Sequence, residues 1–104
     1  VRQRFLDALY DRILVLDALV EQVLSMGPGE PQLREIAGCC HKLAGTAPTL
    51  GFDIVGTAAR NLETGILSQL DQVHPDAIWA GVKEGLEDFL NLLEATLDEC
   101  EKFG

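Results

Sequence analysis

The sequence predicts an all-α domain, an up-down antiparallel bundle of four helices, and three observations carry that expectation. Apolar residues recur every three or four positions through nearly the whole chain, which is the spacing of an amphipathic helix. Three short breaks, each containing a proline, cut the pattern into four stretches. No run alternates with period two or gathers β-branched residues, so no sheet is expected.

The first stretch, over 3–26, carries Phe5, Leu9, Ile13, Leu16, Val20 and Val23, and Gly27-Pro28-Gly29 closes it. The second, over 31–48, carries Leu33, Ile36, Cys40, Leu43, Ala47 and Leu50, a seam that faces other helices. Pro48 lacks an N–H and clashes with the carbonyl of Ala44, so this helix should bend or end there. The third, over 51–70, carries Phe52, Val55, Ala59, Leu62 and Ile66, with Val73 beyond it. The fourth, over 75–102, runs through Ile78, Val82, Leu86, Phe89, Leu93, Leu97, Cys100 and Phe103. It follows His74-Pro75-Asp76, where proline suits a first turn. Helices of this length joined by short breaks pack best as antiparallel neighbours. The 104 residues fit one domain over 1–104.

Composition narrows the function. With 8 Lys and Arg against 17 Asp and Glu, the formal charge is −9. Such a surface repels phosphate backbones and anionic lipid, so neither nucleic acid nor a membrane is expected as the main partner. No window approaches the roughly 20 apolar residues that span a bilayer, and Val1-Arg2-Gln3-Arg4 lacks the apolar core of a secretion signal. Three cysteines, two of them adjacent, do not make a disulfide framework. Free thiols fit a reducing compartment, so the expected location is cytoplasmic.

His41 is the residue with chemical promise. With the second helix set on its seam, His41 falls just outside it and points outward. Its neighbours one turn away are Ala37, Gly38, Ala44 and Gly45, all Ala or Gly. Interior helical glycine costs about 1 kcal/mol relative to alanine, so two of them need a reason. A smooth patch around one imidazole lets a partner's active site reach a ring nitrogen. Neutral imidazole is a competent nucleophile near neutral pH. Phosphoryl transfer needs in-line approach of nucleophile and leaving group, so an exposed ring matters more than a pocket. The alternative is a surface histidine beside small residues that merely permit close helix packing.

The string His41-Lys42-Leu43-Ala44-Gly45-Thr46-Ala47-Pro48-Thr49-Leu50-Gly51-Phe52 resembles the histidine phosphotransfer (HPt) domain family. That signature runs His-x-Leu-Lys-Gly-(Ser/Ala/Thr)-Ala, then an apolar residue and glycine. His41, Leu43, Gly45, Thr46, Ala47, Leu50 and Gly51 match it in order and spacing. Ala58-Ala59-Arg60-Asn61-Leu62-Glu63 looks like the family's next-helix segment, which commonly ends in Leu-Glu. The resemblance implies that His41 accepts a phosphoryl group from a receiver aspartate or a sensor histidine kinase. It then passes the group to a response-regulator receiver domain. Gly45 would leave space beside the phosphoryl group. The receiver would bring Mg²⁺ and most catalytic groups, and this domain would hold no cofactor of its own. The family usually has Lys or Arg three residues after the histidine, where this chain has Ala44. Lys42 is the only basic side chain close in sequence, about 100° round the helix from His41, and is expected near the phosphate. Arg34, two turns before His41, joins Ala37, Gly38 and Ala44 as the expected docking face.

The remaining candidates carry less. Adjacent helical residues diverge by about 100°, so Cys39, Cys40 and His41 cannot converge on one ion, and no metal site is expected. Nothing resembles a nucleotide-binding loop, so the domain is expected to be a monomeric carrier without its own ATP site rather than an enzyme. The acidic residues of the last helix read as a solvated face, Trp79 and Tyr10 as packing residues, and His74 as a solvated loop residue. Two other functions stay open on these residues. One is the phosphoacceptor domain of a chemotaxis-type histidine kinase. The other is a helical interaction module that is never phosphorylated.

Overall fold

The computed structural model describes residues 2–103, and the side chains of residues 3–100. Four helices make up the architecture: α1 (Arg2–Met26), α2 (Glu30–Thr46), α3 (Asp53–Leu67) and α4 (Pro75–Phe103). No strand occurs among the described residues. The packed pairs are α1 with α2, α2 with α3, α3 with α4 and α4 with α1, and α2 also touches α4. The apolar stripes named above face inward: Leu9, Leu16, Leu33, Ile36, Cys40, Ile66, Ile78, Leu86 and Leu93 are all fully buried. Phe103, counted in the fourth stripe, lies outside the described side chains. Among the described residues, no helix is long and apolar enough to cross a membrane.

Each break has a local cause. Gly27 ends α1 at φ 86°, the left-handed conformation that glycine adopts without strain, and its N–H reaches the Val23 carbonyl at 2.8 Å. Pro31 sits in the first turn of α2, where its missing N–H costs nothing. At the other end α2 stops at Thr46, two residues short of the expected bound, because Pro48 cannot continue the ladder. The chain tightens into a 3₁₀ turn over Pro48–Leu50 and reverses at Gly51, whose φ is 90°. This turn delays α3 to Asp53, and Phe52 stacks on Phe5 of α1 with ring centroids 5.1 Å apart. α3 closes at Leu67, not near 70, and 68–73 run in turns. His74 is more than a loop residue. Its carbonyl accepts the N–H groups of Ala77 and Ile78, and its Nδ1 accepts the Asp76 N–H at 3.2 Å, so it caps α4. Tyr10, expected to pack, is exposed.

Two glycines reveal how differently the faces of this bundle are built. A Cβ on Gly56 of α3 would lie 2.5 Å from Cγ and 2.8 Å from Cδ of Pro48, so this glycine permits the close approach of the turn to α3. A Cβ on Gly38 would meet nothing within 4 Å. Gly56→Ala is therefore expected to lower stability by about 1–3 kcal/mol through overpacking. Gly38→Ala should raise it by about 0.5–1 kcal/mol through helix propensity. Urea unfolding of the two variants, read as shifts of opposite sign in the midpoint, checks the pair.

Candidate functional site

The site grows from the way α2 is packed. Because α2 touches all three other helices, its buried arc is wider than a simple seam. It takes in Ala37, Cys39 and Ala44 as well as Leu33, Ile36, Cys40, Leu43 and Ala47. Ala37 and Ala44, expected on the open docking face, are thus 2 % and 6 % exposed and belong to the core. What remains open includes Arg34, Gly38, His41 and Gly45, which lie within about 60° of one another at 100° per residue, with Glu35, Lys42 and Thr46 exposed beside them. His41 stands toward the α3 side of this arc, in the last third of α2.

Its ring is exposed but not free to spin. Nδ1 lies 2.9 Å from Oε2 of Glu63 on α3, with the imidazole side chain 74 % exposed and the carboxylate side chain 17 % exposed. A carboxylate only accepts hydrogen bonds, so Nδ1 carries the proton and donates it. In the neutral ring Nε2 then holds the lone pair. Among the described residues Nε2 has no hydrogen bond. One nitrogen is anchored and the other is presented.

Glu63 is the site residue that sequence reasoning passed over. Its signal was available in the Leu-Glu that ends the Ala58–Glu63 segment, but only the packing of α3 against α2 brings it to His41. Gly45 is exposed and a Cβ there would meet nothing within 4 Å. Beside it a hollow of about 630 Å³ opens between α1 and α2, and His41, Lys42 and Gly45 all line it. Lys42 therefore shares a cavity with His41 despite lying on a different side of the helix. Arg34 is turned to its own helix, paired with Glu30 at 2.7 Å, and both are exposed.

The three thiols are buried. Burial, then the neighbouring Cys39 and the Glu63 carboxylate, push the Cys40 thiol up to about 12. It stays protonated near neutral pH, which makes it a poor nucleophile there. Among the described residues, no group of three or more His, Cys, Asp or Glu side chains is placed to hold a metal ion.

No curated protein and no solved structure matches this chain. A family model described as Hpt domain matches residues 1–102. That match takes in residues of all four helices, and the chain belongs to the Hpt domain family.

Proposed function

We propose that this domain is a phosphoryl carrier of a multistep phosphorelay and that His41 is the residue phosphorylated. Hpt domains are histidine phosphotransfer modules, carriers rather than catalysts, that work with receiver and kinase domains of two-component systems. The observation that carries the assignment to His41 is its asymmetric ring, with Nδ1 tied to Glu63 and 74 % of the side chain exposed. In transfer from a receiver, the Nε2 lone pair attacks phosphorus, the N–P bond forms and the P–O bond of the aspartyl phosphate breaks. The aspartate leaves as carboxylate, and no proton has to leave the ring beforehand. Positive charge develops on the imidazole as the bond forms, and the Glu63 carboxylate offsets it. Passage to the next receiver is the reverse step on a new aspartate. The Mg²⁺ of the transfer complex would be held by the receiver, where it would offset the charge on the phosphoryl oxygens. An up-down helix order and a cytoplasmic location complete this reading.

Incubation with phosphoramidate, a small phosphoryl donor, followed by peptide mapping tests it. The expected product is one acid-labile phosphate on His41, transferable to a receiver domain. Phosphate on another residue, or none, overturns the assignment.

The role of Glu63 has its own test. Glu63→Gln keeps a hydrogen-bond acceptor but removes the charge. A hydrogen bond to a charged group contributes about 1.5–3 kcal/mol and a neutral one about 0.5–1.5. The difference, somewhat over 1 kcal/mol, corresponds to roughly a tenfold slower phosphorylation. Stopped time courses with phosphoramidate measure it, and an unchanged rate would reduce Glu63 to a structural contact.

A further inference from the structure

Glu63 stands on one side of His41, but the charge of the hollow on its other side is the reverse of that over the chain. The sequence has 8 Lys and Arg against 17 Asp and Glu, yet the hollow beside His41 is lined by Arg4, Arg12 and Lys42 and by no carboxylate. Arg4, Ala8 and Arg12 recur every four residues, so they share one face of α1. Ala8 leaves an opening between two long side chains whose backbones are about 12 Å apart at 1.5 Å per residue. Both arginines can lean over that opening from its two ends. Neither has a carboxylate partner among the described residues, whereas Arg34 is committed to Glu30. Phe5, Leu43 and Leu50 supply apolar lining, where charge interactions are less screened than in open water.

We propose that Arg4 and Arg12 of α1, with Lys42, hold the phosphoryl group once it is on His41. They would fill from another helix the cationic role that position 44 cannot, since Ala44 is buried in the core. A phosphoryl group adds about −1.5 to −2 charge near neutral pH, on a domain already at −9. Guanidinium groups bind phosphate oxygens through paired N–H donors, and at these partly exposed positions added salt weakens the attraction. The proposal rests on the phosphocarrier reading above.

The test uses the intact domain, phosphoramidate as donor and no partner protein. After phosphorylation, ³¹P NMR follows the last protonation of the phosphoryl group at low salt. Nearby cations favour the more charged form, so the Arg4→Gln, Arg12→Gln double variant should titrate at higher pH. The expected shift is about half a unit or more, about a threefold change in that equilibrium, and it should shrink in high salt. The Arg4→Lys, Arg12→Lys pair should titrate close to wild type, which separates charge from packing. Lys83→Gln, at an exposed position of α4 outside the hollow, should change nothing. A folded double Gln variant that titrates with wild type at low salt overturns the proposal alone, and if that pair misfolds, single Arg4→Gln and Arg12→Gln variants that both titrate with wild type at low salt do the same. A wild-type domain that takes no phosphate on His41 overturns the phosphocarrier reading and this proposal with it.

Discussion

His41→Gln is expected to take up no phosphate from phosphoramidate or from a phosphorylated receiver, while folding as the wild type does. Glutamine's amide nitrogen has no available lone pair, so the nucleophile is gone. Its NH₂ can still donate to Glu63, which keeps the 2.9 Å contact of the wild type chemically replaceable. The side chain is 74 % exposed and buries little on folding. Substitutions at such positions usually change stability by less than about 0.5 kcal/mol, and a thermal midpoint within roughly 2–4 °C of wild type is expected. Circular dichroism and thermal unfolding establish the fold, and acid-labile phosphate is then counted on both proteins. A folded variant that still acquires transferable phosphate means another residue is the carrier.

Gly45→Leu is expected to slow transfer between domains by roughly 10–100-fold, the scale of misplacing reacting groups by about 1 Å. The same change should stabilise α2 by up to about 1 kcal/mol, because glycine is the poorer helix former. Nothing lies within 4 Å of a Cβ at this position, so the fold has room for a side chain and the site does not. Gly45 is exposed, lines the hollow beside His41 and sits one turn from it on the open arc. A leucine there would occupy the space through which a phosphorylated partner approaches. The informative outcome is opposite signs: a higher unfolding midpoint with slower transfer from a receiver. Unchanged transfer would mean that the open space at Gly45 is not used by the partner.

The departure at Ala44 looks different once the bundle is seen. A lysine introduced there would have to leave the core, since Ala44 is only 6 % exposed. Restoring the family's usual basic residue is therefore expected to disturb packing.

Helix type and core were legible because they rest on short-range chemistry. The three- and four-residue recurrence of Leu9, Ile36, Ile66 or Leu93 needs only helix geometry to find the inward face. The end of α2 at Thr46 follows from the missing N–H of Pro48. The outward position of His41 is likewise a matter of its angle from the seam. What a sequence position lacks is the number of helices around it. α2 has three, so its buried arc reached Ala37 and Ala44, which a two-sided seam leaves open. Glu63, the partner of His41, and the arginines that line the hollow beside it sit on other helices at large sequence separation, α3 and α1. Helical periodicity says which way a side chain points; only the packing of one helix on another decides which side chain it meets, and that is where His41 acquired its anchor and its hollow.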